Sequence, residues 1–330
     1  MVKALLRKLI AFPVILLLIN FLGYAYALIG QAVFAAQNPW GSSVDGFPNI
    51  FARYGEFAAG MLRGDFGVLP TVSAEPIPTA VMHAAGASLG LLCIAFAFSV
   101  PLGLVLGFAA VKNETARVAN WLTPFTSMGL ALPSFYIGAI LVLFVLYQMI
   151  GAGADAKPIL PLAGFGWDAH LVLPILALII RPTVQVAQIT AEFMAGEMGK
   201  QYIVTSRAMG HSWARIRWQH ALRNMLAPLT AAVAGTFRGL FADLILVEWL
   251  FSWPGIGQLL VHTVVAPSGA RPYSMLGGMV VFLNPPLLAA LLTAFAAIFL
   301  FIDLIATVLG TLVDPRLRSA QQDQEVEYAG

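Results

Sequence analysis

Five ionisable side chains stand inside stretches that are otherwise apolar: Arg181, Arg238, Asp243, Glu248 and Asp303. A charge within hydrocarbon is costly, so it turns to a partner or a water-filled cavity, and such residues mark ion or substrate paths. Arg238 and Asp243 stand five residues apart in one run. On a helix they take different azimuths, so each must meet a partner on another helix or face a translocation path. Covalent chemistry has poorer candidates. His83, His170, His211, His220 and His262 are scattered in or near loops, no H-E-x-x-H occurs, and the single cysteine, Cys93, lies in an apolar run. No nucleophile, base and metal converge at one depth, so no catalytic residue and no metal site is expected. A phosphate loop is missing too, because "GEMGKQ" at 196–201 has neither the spacing nor the final hydroxyl of G-x-x-x-x-G-K-[ST]. No cofactor is expected in this chain.

The elements that carry these charges follow from composition. The chain is 59% hydrophobic and 10% charged, with mean hydropathy +0.84, against about 25% charged in ordinary soluble chains. It is an integral membrane protein. Apolar runs at roughly 9–30, 84–111, 121–150, 171–190, 228–250 and 277–313 can each cross a ~30 Å hydrocarbon core, which takes ~20 helical residues. An all-α fold with six transmembrane helices is expected, since a membrane barrel shows short alternating strands instead. The first run is long for a signal peptide and is counted as a span.

Charge orients the spans. Segment 191–227 holds Lys200, Arg207, Arg215, Arg217 and Arg223 against Glu192 and Glu197. With Lys112 and Arg117 of 112–118 and the basic N-terminus, it belongs in the cytoplasm by the positive-inside rule, which places both chain ends inside a cell membrane. In the first external loop, Ile50, Phe51, Tyr54, Phe57, Ala58, Met61 and Leu62 recur at helical spacing while Asn49, Arg53, Glu56 and Arg63 fall elsewhere, the pattern of a helix lying in the bilayer interface.

Segment 197–229, "EMGKQYIVTSRAMGHSWARIRWQHALRNMLAPL", is too polar to span. Its helix-forming stretches divide at Gly210, so a short helix, a glycine free to take positive φ and a second helix are expected. A loop that only sets topology would also be basic. Nucleic-acid binding would explain the arginines, but the segment holds no recognisable reading module, and no nucleic-acid partner is expected.

This segment resembles the cytoplasmic EAA-type loop of permease subunits of bacterial ABC importers, in the dipeptide, oligopeptide and nickel branch. Tyr202, Thr205, Arg207, Ala208, Gly210, His220, Ala221, Leu222, Arg223, Asn224 and Pro228 match its pattern. "RGDFG" (63–67), "LPSFYIGAILVLF" (132–144), "VEWLFSWPGIGQLL" (247–260) and "DPRLR" (314–318) each resemble a signature of that family in the expected order. Met209, Gln201 and "ARPYSML" around Arg271 depart from it, as do Arg238 and Asp243, where small or apolar residues are usual.

The resemblance implies a type I ABC importer permease fold, with an extracytoplasmic interfacial helix and a cytoplasmic coupling helix. Residues 1–83 would hold the first span and the interfacial helix, 84–313 a five-helix core, and 314–330 a cytoplasmic tail. Tyr202, Thr205, Arg207, Ala208, Gly210 and Arg223 would couple to a cytosolic ATPase that binds ATP and Mg. A homologous second permease and an extracytoplasmic substrate-binding protein complete the implied assembly. The substrate would be a peptide or a related small solute such as a nickel complex or a sugar. By the same resemblance Glu248 and Asp303 are structural; Arg238 and Asp243, which depart from it, stay candidates for a partner on another helix or for the translocation path, and Arg181, read from its place in an apolar run, snorkels. The competing reading is a secondary transporter driven by an ion gradient, which would use intramembrane charges in repeated halves; the sequence shows no internal repeat.

Overall fold

The computed structural model describes residues 2–37, 48–69, 74–113, 115–152, 158–265 and 281–313. Arg271 and the "DPRLR" motif lie outside them. The helices are α1 (Val2–Gln37), α2 (Ile50–Leu62), α3 (Ile77–Ala109), α4 (Leu122–Ala131), α5 (Ser134–Ala152), α6 (Val172–Met198), α7 (Gln201–Ala208), α8 (Trp213–Arg215), α9 (Leu222–Leu250), α10 (Ile256–Val264) and α11 (Pro285–Val313). A 3-10 turn, Ala169–Leu171, opens α6, and a π-helical turn, Ile216–Ala221, joins α8 to α9 without a break. Among the described residues, six segments are long and apolar enough to span: Ile10–Gln37, Ile77–Ala109, Ser134–Gly151, Ala169–Met198, Trp213–Leu250 and Pro285–Val308. Among the described residues, β pairing is confined to the isolated bridges Val68–Pro76 and Val111–Val118.

Two expectations need correction. The run 121–150 is two helices, because Leu132 is extended (φ −93°, ψ 118°) before Pro133; proline denies its own N–H to a helix and pushes its predecessor out of the helical region. The segment 191–227 is also mostly helix. α6 runs to Met198 and the helix resumes at Trp213, so the connection proper is 199–212 with α7 inside it. Elsewhere Pro13, Pro101, Pro182 and Pro228 stay within helices. A helix forms over the residues expected of the interfacial one: Asn49 caps α2 by accepting a 3.2 Å hydrogen bond from Ala52 N.

The chain packs as two compact units. One holds Gly90–Phe251 and α11 from Phe301 onward. In it α3 lies against α6 without intervening side chains. A Cβ on Gly107 would stand 2.6 Å from both Ala187 O and Thr190 Cβ, and one on Gly103 2.7 Å from Thr183 O, the close approach that small residues four apart allow. Below this contact a buried cluster of Val111, Leu122, Met194, Ile203, Ile216 and Met225 gathers the ends of α3, α6 and α9 around the 199–212 connection.

The other unit holds Val2–Leu89 and Ser252–Leu300. Buried Asn20 of α1 donates to Thr293 Oγ1 (3.0 Å) and accepts from the Tyr54 hydroxyl (3.1 Å), fastening α1 to α11 and α2. The tryptophan of the "SWPG" turn, Trp253, is fully buried and donates Nε1–H to Ala87 O at 3.1 Å. Ser88 Oγ accepts from Ile256 N at the start of α10 (2.9 Å). In "RGDFG", Asp65 Oδ1 accepts from Gly67 N (3.0 Å), which closes the turn after α2.

Candidate functional site

The 199–212 connection is built from the inside outward. Glu197, in the last turn of α6, accepts a 2.6 Å hydrogen bond from the Tyr202 hydroxyl and pairs with Lys200. The same hydroxyl accepts from Asn224 Nδ2 at 3.1 Å. Three helix segments, the end of α6, α7 and the start of α9, are thereby tied at one phenol. Burial first, and then the hydrogen bond to the Glu197 carboxylate, push the Tyr202 hydroxyl up to about 12, so it stays a protonated donor at neutral pH. Ile203 and Ser206 complete the buried side of α7.

The opposite side of α7 is bare. Gln201, Val204, Thr205, Ala208 and Met209 are exposed, and the apolar Val204 and Met209 expose 59% and 64% of their surface. α7 ends in a Schellman motif. His211 N donates to Ser206 O (3.3 Å) and Gly210 N to Arg207 O (2.9 Å), with Gly210 in the left-handed region at φ +83°. Nothing lies within 4 Å of a Cβ built on Gly210. Of the two reasons a glycine is chosen, positive φ is therefore the one realised within this chain.

The turn is braced on its far side. Arg207 donates to His211 O (3.0 Å) and its guanidinium lies 4.8 Å from the Trp213 ring centroid. Ser212 Oγ accepts from Arg215 N (3.3 Å) and so starts the next helix. Arg217 donates to Phe108 O (3.2 Å) and to Val111 O, carbonyls at the end of α3 that no helical partner satisfies. Trp218 stacks on Phe108 with ring centroids 5.4 Å apart. The arrangement can do one thing well: it presents a rigid, partly apolar helix face whose position is fixed to α3, α6 and α9 together.

The structure brings Tyr202, Arg207 and Gly210 into this connection as an internal clamp, a brace and a turn. Thr205 and Ala208 lie on its bare face, and Arg223 is exposed on the first turn of α9. The intramembrane charges do not join it. Arg238 and Asp243 do not meet each other; each pairs with another helix. Arg238 Nη1 donates to Asp303 Oδ1 of α11 at 3.0 Å. Asp243 takes Arg181 Nη1 of α6, 3.3 Å from each carboxylate oxygen, and a 2.7 Å hydrogen bond from the buried Ser134 hydroxyl of α5. Arg181, expected to snorkel, thus has a partner in α9, and Glu248 is fully buried.

Sequence reasoning gave no site role to Ser134, took Glu197, Lys200 and Arg217 only as loop charges and Asn224 only as a pattern match, and read Arg181 as snorkelling. A signal existed for Arg181, since an intramembrane cation and an intramembrane anion lie on consecutive spans. None existed for Arg217, whose acceptors are backbone carbonyls.

A family model described as "Binding-protein-dependent transport system inner membrane component" matches residues 99–319. The chain is similar to the oligopeptide transport system permease protein OppB of Haemophilus influenzae, 27% identical over 332 residues, covering 96% of this chain and 100% of that protein. It is similar also to the dipeptide transport system permease protein DppB of Lactococcus lactis, 24% identical over 269 residues, covering 82% and 81%. OppB of Mycobacterium tuberculosis is 25% identical over 343 residues, covering 96% and 99%.

Proposed function

This chain belongs to the family of inner membrane components of binding-protein-dependent transport systems, a permease subunit of an ABC importer, and from that premise we propose that α7 is the joint through which a separate ATPase drives it. The observation that carries the proposal is the two-sidedness of α7: its inner side is fastened at Tyr202 to both α6 and α9, while Val204, Thr205, Ala208 and Met209 are left bare. An exposed apolar face on a rigid mount suits a protein partner. A push on it is delivered to the two helices that carry Arg181 and Asp243. Thr205, Ala208 and Gly210 form the surface the ATPase meets, and Arg207 and Tyr202 hold that surface in place.

The relatives are named for dipeptide and oligopeptide transport, which supports a short peptide as the solute. A second, homologous permease subunit then supplies the other half of the translocation path, and an extracytoplasmic binding protein delivers the peptide. ATP and Mg are bound by the ATPase subunits. Both chain ends and α7 lie in the cytoplasm, and α2 lies in the outer interface. The spans alone would also suit an ion-driven carrier, but a clamped, outward-facing joint between two spans has no task in one.

One experiment tests energy source and orientation together. Cys93 is first replaced, a cysteine is placed at exposed Ser212, and vesicles holding the complete complex are sorted by which face a membrane-impermeant reagent labels. With ion gradients collapsed, ATP given to the Ser212 face should drive uptake, and ATP given to the other face should not. Uptake that persists without ATP and follows an imposed ion gradient would overturn the assignment.

A further inference from the structure

The contact between Arg181 and Asp243 is uneven. Ser134 holds Asp243 Oδ2 at 2.7 Å, whereas Arg181 reaches both carboxylate oxygens from Nη1 alone, at 3.3 Å. Charge-assisted N–H···O bonds usually close to about 2.7–2.9 Å, so the serine is the tight partner and the arginine the loose one. Arg181 Nε and Nη2 make no protein hydrogen bond among the described residues, and 42% of the side chain is exposed. The free edge of a guanidinium is a planar fork that fits a carboxylate with two parallel hydrogen bonds. A half-exposed guanidinium is not left facing hydrocarbon. This side of the α6–α9 pair therefore faces water or another protein surface, and a permease needs such a surface where solute passes.

We propose that Arg181 and Asp243 form a substrate-reading station: the carboxylate of a zwitterionic solute takes the free fork of Arg181 while its ammonium takes Asp243, which Ser134 keeps in place during the exchange. The proposal rests on the reading of this chain as a peptide permease and names the feature of the peptide that is read. The chemistry suits transit. Before, during and after the exchange every charge has an opposite partner, so no step leaves an uncompensated charge inside the membrane. Binding also stays weak, as passage requires of a site that must release what it takes up. A solute with one extra charge has no such balanced exchange and is disfavoured.

The test uses the complete complex in vesicles with its ATPase and binding protein, and measures uptake of trialanine, Ala-Glu-Ala and Ala-Lys-Ala. Asp243→Asn leaves Arg181 unbalanced and should raise uptake of Ala-Glu-Ala relative to trialanine about tenfold while lowering Ala-Lys-Ala; Arg181→Gln should do the reverse, the size being that of one charge interaction at a partly buried site. Opposite shifts are not produced by a pair that merely packs helices. Should either neutralised chain fail to assemble, Arg181→Lys keeps the charge and loses the fork, and it should raise KM for trialanine several-fold. Unchanged uptake ratios, equal changes for all three peptides, or an unchanged KM in Arg181→Lys overturn the station alone. Failure of the unmodified complex to take up any of the three peptides overturns the peptide reading, and the station with it.

Discussion

Replacing Gly210 tests the joint at the position where geometry makes the sharpest demand. The residue sits at φ +83°, where an L side chain costs about 1–2 kcal/mol and a β-branched one more. A chain that leaves this conformation also gives up the bonds from Gly210 N to Arg207 O and from His211 N to Ser206 O, each worth roughly 0.5–1.5 kcal/mol. Gly210→Val should therefore disfavour the native turn by about 2 kcal/mol, or roughly thirtyfold in population. No clash adds to this, because the space around the Cβ position is open to 4 Å. The bundle should insert normally, since the turn lies between spans. Recovery of the ATPase with the purified permease should fall, and uptake in vesicles with it. Gly210→Asn is the informative companion, because asparagine tolerates the left-handed region, and it should restore most of both. If Gly210→Val recovers ATPase and transports like the unmodified chain, the turn is no joint. If Gly210→Asn is as damaging as valine, the glycine is kept for a partner's close approach rather than for φ.

Two other substitutions follow from the same geometry. Gly107→Leu forces a Cβ to within 2.6 Å of Ala187 O and Thr190 Cβ and should cost at least ~2 kcal/mol, seen as a lower thermal midpoint in detergent. Gly196→Leu, with nothing within 4 Å, is the control that should leave the midpoint in place, and equal midpoints would refute the tight α3–α6 contact. Tyr202→Phe removes the hydroxyl shared by Glu197 and Asn224 and should speed amide exchange across 199–212 while sparing the spans. Because this phenol is raised from 10.0 to about 12, its contribution is complete below pH 10 and is lost as the pH rises through about 12. The exchange difference between wild type and Tyr202→Phe should be constant at lower pH and close only in that alkaline window.

Physical necessity explains which features could be read from the sequence. A bilayer demands long apolar helices, so six spans are plain in the composition, and Asn49 and Gly210 announce the start of α2 and the end of α7 because caps use few residue types. Inside an apolar run no such marker operates. Pro101 and Pro182 stay within helices while Pro133 separates two, and the residue type is the same in all three. Polarity misleads in the other direction: 213–227 is polar because of its surroundings, yet Ser212 caps a helix there that runs on to Leu250. Neither depth nor azimuth follows from the sequence. Arg181 lies 17 residues before the end of α6, whereas Asp243 lies 30 residues after Trp213, where the continuous helix through α8 and α9 begins, so at ~1.5 Å per residue they stand about 26 and 45 Å along their helices from the 199–212 connection. Consecutive spans joined by a short connection tend to pack side by side, which points to α6 and α9 as neighbours, but residue counts alone do not bring Arg181 level with Asp243. Ser134 is different in kind. It follows Pro133 at the start of α5, and a hydroxyl carries no sign that an anion 109 residues later would need it.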